Sequence, residues 1–240
     1  MSVTRRDFLY ASTIIGTTVL LSPIIKASQI TTNTFGLATS GRTVKILRSS
    51  PAHAEFEAGV RQSLDTHSSS GAPSISGFTE TAFEDFDQLK RHLEGAEGTA
   101  IVGLMKDSES IFFNEALRDM GGSILCHGSH IDTEAFSSHE FVSTPASAGI
   151  GSVFGQRLAQ GKQNALIQEV TLHIPVSPFF EPKTDTHLGD WSWRQFLGYY
   201  LAQVASGRWS TASVKAKVVI GTESNAPASG ASFVSLVALI

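Results

Sequence analysis

"TVKILRSSPAHAEFEAGVRQSL", from Thr43 to Leu64, is the stretch that decides the fold class. Its first seven letters, with Val44, Ile46 and Leu47 at their centre, are typical of a buried β-strand. Pro51 suits the first turn of a helix, and Phe56 and Val60 begin an apolar stripe with four-residue spacing that Leu64 completes. A strand followed at once by an amphipathic helix is the repeating unit of α/β proteins.

The same alternation continues along the chain. Helices are predicted over "EDFDQLKRHLEG", over "ESIFFNEALRDMG", capped by Asp107 or Ser108 and ending at Gly121, and over "SAGIGSVFGQRLAQG", ending at Gly161. Strands are predicted weakly over residues 74–79 and more strongly over "TAIVGLM", "SILCH" and "EFVST". Such alternation implies parallel strands joined by right-handed helical crossovers, with helices on both faces of the sheet.

The pattern changes after Gly161. The segment "NALIQEVTLHIP" predicts one long strand. The next segment, "DWSWRQFLGYYLAQVASG", predicts a helix with a cap at Asp190 and a stop at Gly207. A final pair of strands is predicted over "SVKAKVVIG" and "SFVSLVALI". We expect these strands to extend the same sheet and to be at least partly antiparallel. The predicted fold is therefore α/β with three layers: a mostly parallel sheet with helices on both faces, antiparallel strands added by the C-terminal part, and one domain at residues 42–240.

The N-terminal segment has the features of an export signal. Its apolar part, from Ala11 to Ile25, is shorter and more polar than the about 20 apolar residues that a membrane-spanning helix needs. A basic start, a short apolar middle and a small residue at the end describe a cleavable signal. We expect cleavage near Ala27, which makes residues 1–27 the signal peptide and residues 28–41 a polar leader; a retained N-terminal anchor is the alternative.

The motif "TRRDFL", which begins at Thr4, resembles the twin-arginine (Tat) signal, whose pattern is Ser or Thr, two arginines, any residue, and then Phe-Leu. The residues that match are Arg5, Arg6, Phe8 and Leu9. Lys26 is similar to the basic residue that keeps such signals from the general secretion route. The resemblance implies a bacterial protein that the Tat machinery carries to the periplasm already folded, with no permanent membrane span after cleavage.

Charge and cysteine content exclude several partners and cofactors. Removal of residues 1–27 takes away three basic residues and one acidic residue, so the formal net charge changes from −4 to about −6. No Lys/Arg cluster remains, which argues against nucleic acid and anionic membrane surfaces as partners. Cys126 is the only cysteine, so the fold needs no disulfide, and c-type haem and cysteine-ligated iron–sulfur centres are excluded. The sequence requires no cofactor.

A ligand site is expected at the carboxyl ends of the strands, because open parallel sheets bind ligands there. The candidate ligand-binding residues are Ser49, Ser50, Asp107, Ser108, His127, Ser129 and His130. Arg48, Lys106, Ser143 and Thr144 complete this predicted polar rim. The alternative explanation is that loops after strands are polar in any such fold.

The motif "CHGSH" carries the densest chemistry of the chain. Cys126, His127 and His130 could ligate zinc or copper, although their spacing is not a standard zinc pattern. A Cys–His nucleophilic pair is a second interpretation, weakened because adjacent residues of a strand point to opposite faces. The favoured interpretation is that Cys126 is a small buried residue and the histidines are ordinary loop residues.

Glycines at positions 149, 151 and 155 in "AGIGSVFG" resemble the glycine-rich turn of nucleotide-binding folds. The turn comes late in the chain, and Glu169 lies inside a predicted strand rather than at its end, unlike the dinucleotide-binding fingerprint. Close packing of a helix on the sheet is therefore the favoured explanation of these glycines.

Aromatic residues are concentrated in one segment. All three tryptophans and two of the three tyrosines lie between Trp191 and Trp209. Six apolar residues of the predicted helix share one face and form a normal core stripe: Trp193, Phe196, Leu197, Tyr200, Leu201 and Val204. Trp191, Tyr199 and Trp209 are left as candidates for an interaction surface, with ordinary core packing as the alternative.

Two classes of function remain open at this level. The first is an exported, non-catalytic binding or accessory subunit that has a co-exported protein partner or a small-molecule ligand. The early strand–helix units loosely resemble one lobe of periplasmic solute-binding proteins, without the second lobe. The second is an exported enzyme, metal-dependent or otherwise, with its site at Cys126–His130; the lack of a recognised catalytic motif favours the first class.

Overall fold

The computed structural model describes residues 43–48, 53–66, 86–95, 98–133, 137–161, 165–172, 179–180, 191–209, 214–215 and 230–240. All of them belong to one compact unit, from Leu37 to Ile240. The predicted signal peptide and polar leader, the weak strand at residues 74–79, and Ser49 and Ser50 lie outside the described residues.

The described residues form five helices and eight strands. The helices are α1 (His53–Asp65), α2 (Phe86–Leu93), α3 (Asp107–Asp119), α4 (Ile150–Gln160) and α5 (Trp193–Ala205). The strands are β1 (Val44–Arg48), β2 (Ala100–Lys106), β3 (Ser123–Asp132), β4 (Ser137–Ser143), β5 (Ala165–Thr171), β6 (Phe179–Phe180), β7 (Val214–Lys215) and β8 (Ala231–Leu239). None of the helices in this described part of the chain is long and apolar enough to cross a membrane.

Six strands form one mixed sheet in the order β1–β2–β8–β3–β4–β5. The pairs β1–β2 and β4–β5 are parallel, and β2–β8, β8–β3 and β3–β4 are antiparallel. As a result β1, β2 and β3 end at one edge of the sheet, whereas β4, β5 and β8 end at the opposite edge. The predicted α/β class, its three layers and its antiparallel C-terminal strand are confirmed.

Two details of the topology differ from the sequence-based expectation. β3 and β4 form an antiparallel hairpin, because only a few residues separate them and a parallel pair needs a longer crossover. The described part of "SVKAKVVIG" is β7, which pairs with β6 in a separate two-stranded sheet, so it does not extend the main one. β8 enters the middle of the main sheet, between β2 and β3.

Helices α1, α4 and α5 cover one face of the sheet, which we call the α5 face. The residues expected to form the stripes of α1 and α5 are buried there, as predicted. Helix α5 is apolar almost all round, because it lies between the sheet and α1. Gly59 and Gly198 allow this contact: a Cβ at Gly198 would overlap the carbonyl oxygen of Phe56, and a Cβ at Gly59 that of Gln195.

Helices α2 and α3 cover the other face, where they pack on β1, β2 and β8 around a second apolar cluster. The same face of β3, β4 and β5 is only half-buried at His127, Ser129 and Glu140, and Val170 is 60% exposed at the edge strand. The sheet is therefore fully covered on the α5 face and partly covered on the other by described residues.

Two helix caps differ from the expected ones. Helix α3 begins at Asp107 itself, and the carboxylate of Glu109 accepts the backbone N–H of Lys106 at 2.8 Å, so neither Asp107 nor Ser108 is the cap. Helix α5 is capped by Ser192, whose Oγ accepts the N–H of Gln195; the expected cap, Asp190, lies outside the described residues. Gly121 and Gly207 follow α3 and α5 with positive φ angles, as expected of helix stops.

Candidate functional site

A pair of buried histidines lies at the centre of the α5 face. The register of the β3–β4 hairpin places His130 directly opposite His139, and the side-chain alternation of both strands turns the two rings toward α5. Their Nδ1 atoms are 2.8 Å apart, which is a hydrogen-bond distance. Neither side chain is exposed to solvent.

The Nε2 atom of each histidine, which points away from the other ring, is hydrogen-bonded to a serine hydroxyl. Nε2 of His130 lies 2.7 Å from Oγ of Ser235 on β8, and Nε2 of His139 lies 2.9 Å from Oγ of Ser137. Gly128 makes room for the first contact, since a Cβ there would lie 2.5 Å from the Ser235 hydroxyl and 2.7 Å from Nε2 of His130. Three strands therefore contribute to one buried polar chain: Ser137, His139, His130 and Ser235.

The three hydrogen bonds that link these four side chains can be assigned donors and acceptors in only two consistent ways. A neutral imidazole has one N–H and one acceptor nitrogen. In one arrangement His130 donates from Nδ1 to His139, His139 donates from Nε2 to Ser137, and Ser235 donates to His130. In the other, all three directions are reversed. Both arrangements satisfy every ring nitrogen without a charge, so the pair is stable in the core as two neutral rings.

The surroundings of the pair oppose protonation. Burial, followed by the neighbouring His139, His127 and Arg194, holds the pKa of His130 well below its usual value. Burial, with a smaller effect of Arg194, lowers the pKa of His139 to about 3. The ring of Trp193 lies 5.5 Å from that of His130 and 4.9 Å from that of His139, between centroids.

Charged residues meet above the pair, at the edge where β1, β2 and β3 end. We call Glu55, Asp132, Ser192 and Arg194 the edge cluster. The guanidinium of Arg194 lies 2.5 Å from the carboxylate of Asp132 and 4.0 Å from that of Glu55, and Ser192 donates to Glu55 at 2.8 Å. The guanidinium also lies 4.5 Å from the centroid of the Trp193 ring. The edge cluster is thus a group of charged and polar side chains that lies next to Trp193 and the histidine pair.

The glycine-rich turn before α4 binds the side-chain carboxylate of Glu169. Glu169 on β5 accepts the hydroxyl of Ser143 at 2.7 Å and the backbone N–H groups of Gly149 at 2.8 Å and Ser152 at 3.2 Å. Burial raises the pKa of Glu169, and these hydrogen bonds partly oppose the rise. The N–H groups that would hold a nucleotide phosphate at a helix N-terminus are therefore already used.

The glycines themselves fit the packing explanation. A Cβ at Gly151 would lie 3.0 Å from the side chains of Glu169 and Phe141, and one at Gly155 would lie 3.0 Å from Ile167. Both glycines therefore let α4 approach β4 and β5 closely.

The predicted ligand rim does not assemble as one site. Asp107 and Ser108 are exposed in the first turn of α3, and His127 and Ser129 lie on the half-covered face, where burial lowers the pKa of His127 against the charge of Asp107. His130 is buried on the α5 face. Ser143 and Thr144 stand at the opposite edge, since β4 runs against β3. The prediction of a single polar rim is wrong because it assumed that all four strands were parallel.

The motif "CHGSH" lies inside β3 and not in a loop after it. Cys126 is buried in the core on the α5 face, and burial and the nearby Glu169 raise the pKa of its thiol. His127 faces the other way, so Cys126, His127 and His130 share no common site. Within the described ranges, no group of three or more His, Cys, Asp or Glu residues could hold a metal ion.

The proposed aromatic surface is wrong for Tyr199, which is only 3% exposed and belongs to the core. Trp191 is half-buried and packs on Phe196 and Tyr199, with ring centroids 5.4 and 5.7 Å apart. Trp209 is half-buried and donates from Nε1 to the carbonyl of Ala148 at 3.0 Å. These three residues do not form one exposed patch, because Tyr199 is buried and the two tryptophans are half-buried at different places.

Sequence reasoning missed several residues of this region: His139, Ser137, Ser235, Glu169, Asp132 and Arg194. A signal for His139 existed, because the alternation of "EFVST" continues backward through "SSH" and places His139 on the same face as Phe141. No local signal could pair Ser235 with His130, since 105 residues separate them.

Comparisons with known proteins give this chain no relatives. No protein-family model matches it, no curated protein matches it, and no solved structure matches it.

Proposed function

We propose that this chain is a bacterial protein exported by the twin-arginine route to the periplasm, where it acts as a non-catalytic binding or accessory subunit. The observation that carries the proposal is the "TRRDFL" motif before a short apolar run. A co-exported protein or a small-molecule ligand is the expected partner.

The described fold is compatible with export in the folded state. Its single cysteine, Cys126, is buried and unpaired, so the domain reaches its native structure without an oxidising compartment. Two apolar clusters, one on each face of the sheet, supply its stability.

The buried chemistry supports a non-catalytic role. The histidine pair and Glu169 direct their hydrogen bonds at serines and backbone groups of the same core. The edge cluster lies at the edge of the sheet where β3 ends with Asp132, and it is the surface at which we expect a ligand or partner to bind.

Export is tested with the double substitution Arg5→Lys and Arg6→Lys in the full chain. We expect the precursor to stay in the cytoplasm in a folded, protease-resistant form, while the parent appears in the periplasm. The matched control is Arg91→Lys with Arg118→Lys, which makes the same chemical change at two exposed positions of the domain. Normal periplasmic location of the Arg5/Arg6 variant would contradict the proposal.

Binding at the edge cluster is tested by native mass spectrometry of protein taken from the periplasm. We expect an associated species on the parent that is lost with Arg194→Gln. Arg118→Gln is the control, because Arg118 forms an exposed ion pair with Glu115 at 2.8 Å on α3, the helix that covers the opposite face of the sheet. A bare polypeptide mass for the parent, or an enzymatic product in its place, would contradict the binding role.

A further inference from the structure

The outer edge of β5 has no strand partner among the described residues. β5 (Ala165–Thr171) is the last strand of the main sheet, and β4 pairs with it in parallel on the other side. Leu172, just after β5, donates its N–H to the carbonyl of Ser143 on β4 at 2.8 Å. Successive residues of a strand direct their backbone groups to alternate edges, so the even-numbered residues of β5 face β4 and the odd-numbered residues face outward. The outward backbone groups belong to Ala165, Ile167, Glu169 and Thr171.

β5 lacks the usual features that protect an edge strand from other chains. Protected edge strands carry Lys or Pro, contain a bulge or are very short. β5 has 7 residues with neither Lys nor Pro, and its register with β4 is regular throughout. Its one charged residue, Glu169, is turned to the α5 face, where Ser143 and the N-terminus of α4 bind the carboxylate. The edge is therefore open to pairing with another strand.

The partly covered face of β5 carries a polar residue between two apolar ones. Leu166, Gln168 and Val170 point to that face, since the residues between them point to α4. Val170 is 60% exposed, more than any other large apolar side chain in the described ranges. An exposed apolar side chain on an open edge favours pairing with a second strand, which would cover it.

We propose that two copies of this chain form a two-fold symmetric dimer in which their β5 strands pair antiparallel, with Gln168 on the axis, so that the two sheets become one. In this register Ile167 lies opposite Glu169 of the other copy, and Ala165 lies opposite Thr171. All four residues have outward backbone groups, so these are the hydrogen-bonded pairs of an antiparallel ladder. Leu166 and Val170 of opposite copies then form the closer, non-hydrogen-bonded pairs, where apolar side chains contact each other best.

The charge on β5 selects this register over its neighbours. With Gln168 on the axis, each Glu169 lies opposite an uncharged residue, Ile167. A register with Glu169 on the axis would place two carboxylates directly opposite each other, and like charges in that position are destabilising. A register with Ile167 on the axis would leave Val170 outside the paired segment. The register centred on Gln168 therefore pairs the whole strand and avoids facing charges.

Helix α4 lies beside the same interface. The two-fold axis of an antiparallel strand pair is perpendicular to the sheet, so both copies have their α5 face on the same side. Helix α4 packs on β5 there, and the two α4 helices stand on either side of the axis. Strand pairing buries a small area, and interfaces below about 1,200 Å² are typically weak, so we expect a dimer that dissociates on dilution. The edge cluster belongs to β3, α1 and α5, so the dimer does not depend on the binding proposed there.

The test is sedimentation velocity of the purified full chain over a range of concentrations. Gln168→Lys and Gln168→Glu change an exposed side chain, and each places like charges opposite each other on the axis. We expect each variant to raise the Kd of the dimer about 10-fold. An equal mixture of the two variants places Lys opposite Glu, and we expect it to restore the dimer content of the parent. The matched controls are Gln62→Lys and Gln62→Glu, at an exposed position of α1, and are expected to dimerise like the parent.

Amide hydrogen exchange of the unmodified full chain locates the contact without any substitution. We expect the amides of Ile167 and Glu169 to be protected in the dimer and to exchange faster on dilution. The amide of Gln168, which faces β4, is expected to stay protected at every concentration.

Four results would overturn the proposal. The first is a chain that stays monomeric at every concentration. The second is a dimer in which the amides of Ile167 and Glu169 exchange rapidly, because it would use another surface. The third is protection of these two amides in the monomer, because another segment of the same chain would then cover the edge. The fourth is a mixture of the Gln168 variants that associates no better than either variant alone.

Discussion

The histidine pair and Glu169 bury titratable groups on the same face of one sheet, but they do so in opposite ways. His130 and His139 lie between β3 and β4 as neutral rings that satisfy each other and two serines. Glu169 lies beside α4, where a hydroxyl and backbone N–H groups of the helix N-terminus surround its carboxylate. Burial is the largest cause of the shift in both cases: it lowers the pKa of the histidines and raises that of Glu169.

The difference shows that the same burial has opposite consequences for stability as pH changes. The folded histidines bind fewer protons than the unfolded ones, so stability falls as pH falls below the unfolded pKa of about 6.5. The folded Glu169 binds a proton more readily than the unfolded one, so its contribution improves as pH falls toward about 4.5. The pair is a source of acid sensitivity, and Glu169 partly compensates for it.

The largest expected effect is the loss of stability in mild acid. Each histidine that stays neutral in the folded state costs about 2 kcal/mol between pH 7 and pH 5, so the pair costs about 4 kcal/mol. Urea unfolding at the two pH values measures this loss. The control is the double variant His130→Phe with His139→Phe, which replaces both partners by apolar rings and removes the two titrating groups. An equal loss in parent and double variant would show that other groups cause the acid sensitivity.

A matched pair of glycine substitutions sharpens the comparison. Gly128→Ala forces a methyl group against Ser235 and His130, at 2.5 and 2.7 Å, in the middle of a strand. We expect it to destabilise the domain by about 2–3 kcal/mol. Gly151→Ala meets Glu169 and Phe141 at 3.0 Å and lies in the first turn of α4, where alanine is favoured by up to about 1 kcal/mol.

The net change for Gly151→Ala is expected to stay within about 1 kcal/mol, because these two effects oppose each other. Thermal and urea unfolding of both variants give the ranking. If Gly151→Ala proved the more damaging of the two, the histidine region would be less tightly packed than the Glu169 region, contrary to the contacts described above.

Glu169→Gln is expected to have the smallest effect. The amide keeps one oxygen for Ser143 and Gly149. Its NH2 replaces the oxygen that accepts the N–H of Ser152 and cannot accept that bond, while the cost of burying a charge disappears. We expect a change within about 1 kcal/mol at pH 8. Between pH 8 and pH 5 the parent should gain stability relative to the variant, because only the parent can take up a proton at residue 169. A relative loss would reverse the sign assigned to Glu169.

The sequence predicted the local units of the fold better than the way they associate. The unit β1–α1, strand β2, and the helices α3, α4 and α5 follow from periodicity and from stops such as Gly121 and Gly161. The place of β8 between β2 and β3 could not be predicted, because pairing between distant strands depends on packing of the whole sheet rather than on any local pattern.

The same limit applies to the candidate site. His130 was recognised as chemically distinctive, but its partner His139 depends on the register of a hairpin, and Ser235 comes from the far end of the chain. A parallel arrangement of β3 and β4 would have placed Ser143 at the same edge of the sheet as the end of β3. The antiparallel hairpin places Ser143 beside Cys126 instead, and there it binds Glu169.

The most direct test of the neutral, hydrogen-bonded pair is ¹⁵N NMR of its imidazoles. Long-range ¹H–¹⁵N spectra of the native protein between pH 8 and pH 5 report the protonation of every ring nitrogen, and the urea-unfolded protein serves as the reference that titrates near about 6.5. We predict that His130 and His139 each keep one protonated and one unprotonated nitrogen throughout, with scalar coupling across the shared Nδ1–H···Nδ1 bond. A cationic spectrum for either ring at pH 5 in the folded protein, or two rings without that coupling, would contradict it.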